Sequence, residues 1–164
     1  MGALRLYVLV FAAGFCSLGV ELTAARLLAP FFGTSTLVWA NVIGLTLLYL
    51  AAGYWLGGRL ADRRPDPRSL GMCVLLAAAA VAVLPFLTRP LLTASSDAFS
   101  SVETGVVLSS FAAVLLLFAV PITALGAVAP WAIRLAVHSV EEAGRVSGRL
   151  YALSTVGSLL GTFV

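Results

Sequence analysis

The stretch Gly57-Gly58-Arg59-Leu60-Ala61-Asp62-Arg63-Arg64-Pro65 decides the fold of this chain. It closes an apolar run that begins near Leu37, and a second apolar run follows at once. A long hydrophobic segment that ends in a short arginine-rich turn and then re-enters hydrophobic sequence is typical of a polytopic membrane protein. Because clustered arginines in a short loop stay on the cytoplasmic side, the stretch predicts an orientation as well as a membrane environment.

The composition of the whole chain agrees with a membrane protein. It is 61% apolar, with a mean hydropathy of +1.07, whereas soluble domains are about half apolar. All ten basic residues are arginines, most of them at the ends of apolar runs. The net charge of +3 therefore indicates loops that face anionic lipid, not nucleic-acid binding. Cys16 and Cys73 lie inside apolar runs, which favours buried thiols over a disulfide.

Five segments are long enough to cross the hydrocarbon core, which takes about 20 apolar residues. The sequence predicts a single transmembrane domain over residues 1–164, all-α in class, with helices at about 4–29, 37–61, 69–87, 105–137 and 146–164. The first helix is expected to be uncleaved and to stop at Pro30, and the third to kink or fray at Pro85.

The distribution of arginine predicts which side each loop faces. The segment 59–68 holds four arginines, and 134–149 holds three together with His138, whereas the other side has only Arg89, near Asp97 and Glu103. The amino terminus is therefore expected in the cytoplasm, the connection 88–104 outside, and Val164 near the outer surface.

Small residues recur at helical spacing and predict close helix contacts. They form ridges on four helices: Gly14, Ser17, Glu21, Ala24 and Ala25; Gly53 and Gly57; Ala119, Thr123 and Ala127; and Gly144, Gly148, Ala152, Gly157 and Gly161. With five helices, the ridges on the last one are expected to lack a neighbour within the chain. A second copy or a separate membrane subunit is expected to cover them, with a homodimer slightly preferred.

Glu21 and Arg26 are the exceptional residues, since an ionisable side chain at membrane depth costs about 3 kcal/mol or more. Arg26 can reach the outer interface near Pro30, but Glu21 lies deeper. Two interpretations stay open for Glu21. It pairs with Arg26 or a neighbouring helix to hold the bundle together, or it binds a cation or relays a proton.

Other polar residues in the apolar segments are weaker candidates for substrate binding, namely Asn41, Tyr49, Thr123 and Trp131. Tryptophans near helix ends are also expected at the membrane interfaces, and Trp39, Trp55 and Trp131 have such positions. No phosphate-binding loop, Gly-x-Gly-x-x-Gly or Cys/His cluster is present, and His138 is the only histidine. We therefore expect no enzymatic activity, no cofactor and no metal site.

Two features resemble known families. Gly58-Arg-Leu-Ala-Asp62-Arg63-Arg64 resembles the loop between helices two and three of the major facilitator superfamily, where a Gly-x-x-x-Asp-Arg core locks the cytoplasmic gate. Together with Glu21–Ser35, Gly53–Asp62 and Gly144–Thr162, it resembles the membrane portion of bacterial spermidine-synthase-like membrane proteins, the fused facilitator/spermidine synthases.

The resemblance implies a partial facilitator-like half in the bacterial inner membrane, with Gly58, Asp62, Arg63 and Arg64 at a cytoplasmic gate. Relatives of this kind continue into another helix and an aminopropyltransferase-like domain, neither of which is in this sequence, so a fragment or a split-gene subunit is expected. The leading functional expectation is a transporter-like module for a small organic cation such as a polyamine, with Glu21 and Arg26 among its binding residues. The alternatives are an anchor for an aminopropyltransferase-like partner and a subunit of an interfacial enzyme.

Overall fold

The computed structural model describes residues 2–98 and 105–163, which fold into five helices and no strand. The helices are α1 (Ala3–Phe32), α2 (Thr36–Arg63), α3 (Pro67–Ala98), α4 (Gly105–Ala136) and α5 (Val140–Gly161). The predicted all-α bundle is therefore confirmed, and four of the helices, α1 to α4, are long and apolar enough to cross a membrane. Glu103 and Val164, both predicted to lie on the outer side, fall outside the described residues.

Prolines end no helix where the sequence suggested that they would. α1 continues through Pro30 to Phe32, and α3 continues through Pro85 and Pro90 to Ala98. The predicted ends at about 29 and 87 were therefore wrong. In an apolar environment an unpaired backbone group is costly, so the chain stays helical past a proline. α1 ends instead at Gly33, which has φ +73° and donates its N–H to the carbonyl of Ala29 at 2.9 Å.

The fifth helix differs from the other four in composition. It begins at Val140, earlier than the predicted 146, because the acidic Glu141 and Glu142 in its first turn interact favourably with the positive end of the helix dipole. Charged side chains occupy its first three turns, at Glu141, Glu142, Arg145 and Arg149. For this reason α5 is not among the four helices that are apolar enough to span.

α4 is the central helix of the bundle. It packs most extensively against α2, then against α3 and α1, and more lightly against α5. In its apolar stretch 56% of the residues are buried, whereas the other three spanning helices reach 33% at most. Most residues of α4 therefore contact other helices and do not face the surroundings of the bundle.

The contact between α2 and α4 is as close as the small-residue ridges predicted. A Cβ added at Gly53 would meet the carbonyl of Thr123, and one at Gly57 would lie 2.6 Å from the Cα of Ala127. The two backbones approach this closely because glycine has no side chain.

The contact between α1 and α5 corrects the prediction that the ridges of the last helix have no neighbour within the chain. Gly157 packs against the carbonyl of Phe11, and Gly161 against that of Phe15. Since residue numbers rise together in these contacts, α1 and α5 run parallel. Among the glycines of α5, Gly144 and Gly148 near its start have nothing within 4 Å of an added Cβ. The expected partner is thus not needed to cover Gly157 and Gly161.

The links between the helices define the two ends of the bundle. The α2–α3 link at 64–66 and the α4–α5 link at 137–139 lie at one end, called here the arginine end. The α1–α2 link at 33–35 lies at the other, called the opposite end. There, the hydroxyl of Ser35 caps α2 by accepting the N–H of Val38 at 3.3 Å.

Candidate functional site

Glu21 lies near the middle of α1, about 27 Å along the helix axis from Ala3 and about 17 Å from Phe32. Its side chain is partly buried. Within residues 2–98 and 105–163 its carboxylate has neither an ion pair nor a hydrogen bond. Of the two interpretations left open for Glu21, a pair with Arg26 or with a neighbouring helix is therefore not found among these residues. Five residues of helix separate the two by about 140°, so their side chains leave α1 on different sides.

A row of hydroxyl groups leads along the α1–α5 contact toward Glu21. The hydroxyls of Ser17 and Ser158 both donate to the carbonyl of Gly14, each at 3.0 Å. Thr162, one turn beyond Ser158, donates to the carbonyl of Ser158 at 3.0 Å. Glu21 lies two turns beyond Gly14 on the same side of α1. We call Ser17, Ser158, Thr162 and Glu21 the polar row.

Ser158 of α5 and Thr162, the residue that follows α5, were not recognised as functional candidates from the sequence. The four-residue spacing of Ser158 and Thr162 was the available signal, since it places both hydroxyls on one side of the helix. Ser154 extends the spacing by one turn, and its backbone packs against Gly14. The sequence alone did not indicate that this side of α5 faces α1.

Arg26 occupies a different place, a groove of about 290 Å³ between α1 and the beginning of α2 at the opposite end. The groove is mostly apolar, and Ala25, Ala29, Val38 and Trp39 contribute to its walls. Arg26 is exposed and forms no ion pair with any described residue. The structure therefore separates the two charged residues of α1 into a central position and a peripheral one.

The weaker candidates on α2 hold that helix to α4. The amide of Asn41 donates to the carbonyl of Val107 at 3.1 Å and to the hydroxyl of Ser110 at 2.9 Å. The hydroxyl of Tyr49 donates to the carbonyl of Leu115 at 2.9 Å. Thr123 on α4 lies beside Gly53 in the same contact. The structure thus does not bring Asn41, Tyr49 and Thr123 together with Glu21.

Trp131 is not at an interface, contrary to its predicted position. It is only 5% exposed and packs with Leu6, Val10 and Leu150 inside the bundle. Its indole nitrogen is the one buried side-chain polar atom without a partner in the described part of the chain. The prediction for Trp131 rested on its position near a helix end. It was wrong because the side of α4 that carries Trp131 faces α1 and α5. Trp39 and Trp55, at 40% and 59% exposure, do face outward.

The residues predicted to form a gate lie at the arginine end. The carboxylate of Asp62 accepts a hydrogen bond from Nε of Arg134 on α4 at 3.1 Å. Arg63 and Arg64, the neighbours of Asp62, are exposed and make no ion pair with the described residues. The partner of Asp62 is therefore 72 residues away in sequence, and the sequence did not single out Arg134.

A groove of about 400 Å³ opens beside this ion pair, between α2, α4 and α5. Gly58, Asp62 and Arg134 line it together with Ala143 and Ser147 of α5. Gly58 has nothing within 4 Å of an added Cβ, so it belongs to the open side of α2, whereas Gly57 belongs to the packed side. The ion pair ties the ends of two helices together at the mouth of this groove.

Together, the fold and these groups define an all-α membrane bundle that has, among the residues the structure describes, an unpaired central carboxylate and an ion pair between two helix ends. No protein-family model, no curated protein and no solved structure matches the chain. The resemblance to the facilitator and spermidine-synthase-like membrane proteins therefore stays a prediction.

Proposed function

We propose that this chain is a transporter-like membrane module for a small organic cation. The observation that carries the proposal is the carboxylate of Glu21, which is partly buried in the middle of α1 and has no partner among the described residues. An unpaired charge at this depth is costly, so a mobile cation or a proton is its natural partner. No ion pair joins Glu21 to Arg26 in the described part of the chain, which supports this proposal.

Two further features support the proposal. The polar row supplies hydroxyl oxygens on the approach to Glu21, and such oxygens can accept hydrogen bonds from ammonium groups. The Asp62–Arg134 pair joins two helix ends at a groove and is exposed enough to open at little cost. In this proposal it is a latch at the cytoplasmic end. The choice of a polyamine as substrate rests on the sequence resemblance alone.

Transport also requires an assembly, which forms part of the proposal. Transporters of the facilitator type enclose their cavity between two halves. We propose that a second copy, or a separate membrane subunit, supplies the other half in the bacterial inner membrane. Cross-linking in native membranes through a cysteine at Gly148, whose surroundings are open, tests this proposal. The proposal would be contradicted if the cysteine at position 148 had reacted completely and all of the protein were still monomeric.

Uptake of radiolabelled spermidine into proteoliposomes tests the proposed function directly. We expect saturable uptake that unlabelled putrescine reduces and that neutral glycerol does not, because the proposed site selects charge. Protein-free liposomes and liposomes with the Glu21→Gln variant provide the controls. If purified, folded protein neither binds spermidine nor raises uptake above that of empty liposomes, the proposal is wrong.

A membrane anchor for an aminopropyltransferase-like partner is the second candidate function. The first turns of α5 favour this function because they are charged and accessible to a partner. Val140 is 88% exposed, and Gly144 and Gly148 have open surroundings. Binding of a purified aminopropyltransferase to nanodiscs that contain the chain would support this function. Loss of that binding in Gly148→Leu, with spermidine uptake absent throughout, would favour anchoring over transport.

A further inference from the structure

Trp55 and Arg59 form a stacked pair on the outer side of α2. The guanidinium carbon of Arg59 lies 4.4 Å from the centroid of the Trp55 ring, which is cation–π geometry. Trp55 is 59% exposed. The neighbouring apolar side chains of Leu56 and Leu60 are also exposed, at 40% and 46%. α2 meets α4 through its other side, at Gly53 and Gly57. The pair therefore faces away from the bundle.

Arg63 continues this row one turn further toward the arginine end. Residues four apart on a helix share a side and differ by about 6 Å along the axis, so Trp55, Arg59 and Arg63 follow one another along α2. Arg59 and Arg63 are both exposed. Neither forms an ion pair within residues 2–98 and 105–163, since the nearby Asp62 is bound to Arg134.

The depth of this row matches the boundary between lipid chains and headgroups. Trp39 and Trp55 are 16 residues apart on α2, or about 24 Å along the axis. The hydrocarbon core is about 30 Å thick, and tryptophans concentrate at its two borders. With both rings at those borders, Arg59 lies at the level of the phosphates and Arg63 just beyond it.

We propose that Trp55, Arg59 and Arg63 bind the phosphate headgroup of an anionic phospholipid such as phosphatidylglycerol. A guanidinium group presents two parallel N–H donors to phosphate oxygens, which an ammonium group cannot do. The Trp55 ring orients Arg59 for this contact, and the exposed Leu56 and Leu60 contact the acyl chains of the same lipid. The apolar contacts make a lipid, not free phosphate, the ligand.

Fluorescence quenching of Trp55 in nanodiscs tests this proposal. In a Trp39→Phe, Trp131→Phe background, lipids with brominated chains quench Trp55 according to how often they occupy its surroundings. We expect brominated phosphatidylglycerol to quench more than brominated phosphatidylcholine at equal mole fraction. Each of Arg59→Gln and Arg63→Gln should reduce the preference about fivefold. Arg5→Gln, which removes the same charge from α1, should leave it unchanged.

Three results would overturn the proposal. The first is equal quenching by the two lipids, and the second is a loss of preference in Arg5→Gln as large as in Arg59→Gln. The third is loss of the preference in millimolar inorganic phosphate, which would make a free anion the ligand of Arg59 and Arg63. If the background variant does not fold, native mass spectrometry of the otherwise unchanged chain replaces the quenching experiment. In that measurement the number of phosphatidylglycerol molecules retained per chain should fall in Arg59→Gln and stay unchanged in Arg5→Gln. An equal fall in both variants would contradict the proposed lipid site.

Discussion

Asp62 and Arg134 join the ends of α2 and α4 through a single hydrogen bond of 3.1 Å between Oδ1 and Nε. Their side chains are 72% and 50% exposed, respectively. Ion pairs this open to solvent stabilise a fold by less than about 1 kcal/mol. The pair is therefore better suited to a contact that breaks and re-forms than to holding the bundle together.

The first prediction concerns this pair as a latch. We expect Asp62→Asn and Arg134→Gln each to reduce spermidine uptake strongly while the thermal unfolding midpoint in detergent hardly changes, because the lost pair is exposed. The exchange Asp62→Arg with Arg134→Asp should recover part of the uptake. A large fall in unfolding midpoint with unchanged uptake would show that the pair has a structural role only.

A second prediction tests the contact between α1 and α5. Gly157→Ala places a methyl group against the carbonyl of Phe11, whereas Gly148→Ala meets nothing within 4 Å. We expect Gly157→Ala to destabilise the protein by about 1–3 kcal/mol. Gly148→Ala should have no such effect and can gain from the better helix propensity of alanine. Equal unfolding midpoints for the two variants would contradict the packing of α5 on α1.

The third prediction is a pH dependence at the start of α5. The backbone N–H of His138 donates to the carboxylate of Glu142 at 2.8 Å, and this bond, more than the charge of Arg145, holds the pKa of Glu142 below its ordinary value of 4.5. A lowered pKa stabilises the fold above the ordinary value, and the stabilisation is lost as the pH falls through the folded-state pKa. The difference in unfolding midpoint between wild type and Glu142→Gln should therefore be positive near neutral pH and vanish in acid. A difference that is constant with pH would rule this out.

Orientation is the subject of the fourth prediction. Single cysteines at Asp66 and Ala94, in a background without Cys16 and Cys73, should react with a membrane-impermeant thiol reagent from opposite sides. Because arginines cluster around Asp66, we expect Ala94 to react in intact cells and Asp66 only after the membrane is opened. The reverse pattern would invert the proposed orientation.

The number of helices and the presence of a close helix contact at Gly53 and Gly57 could be predicted because both depend on local patterns. Long apolar runs separated by arginine-rich turns indicate the helices, and the four-residue spacing of Gly53 and Gly57 indicates a close contact. The continuation of α1 past Pro30 and of α3 past Pro85 could not be predicted from local rules. In water a proline favours an end, whereas in an apolar environment the backbone keeps its hydrogen bonds.

Contacts between distant helices could not be predicted in the candidate site. The spacing of Glu21 and Arg26 already places their side chains about 140° apart around α1, but it does not show which neighbouring helix each side chain meets. The sequence contains Asp62 but does not indicate that Arg134 is its partner. Asn41 and Tyr49 were weaker candidates for substrate binding, and in the structure they donate to backbone carbonyls of α4. Which side of a helix meets which neighbour depends on tertiary packing, and a single sequence does not determine it.

The unpaired state of Glu21 distinguishes a binding role from a structural one. If Glu21 were held by Arg26, Glu21→Gln would lower stability, and adding Arg26→Gln would restore it, since breaking a buried pair costs more than replacing both members. Because no such pair forms, we expect both single variants to unfold near the wild-type temperature. This stability makes a binding measurement on Glu21→Gln interpretable.

The most direct test of the account is the affinity of the reconstituted chain for spermidine, measured by calorimetry for wild type, Glu21→Gln and Glu142→Gln. The two variants lose the same charge, one at the proposed counter-charge and one at the distant start of α5. We expect Glu21→Gln to weaken binding about 10- to 100-fold, as for loss of a hydrogen-bonded charge, and Glu142→Gln to bind like wild type. Folded Glu21→Gln protein that binds spermidine with wild-type affinity would contradict the central role given to Glu21.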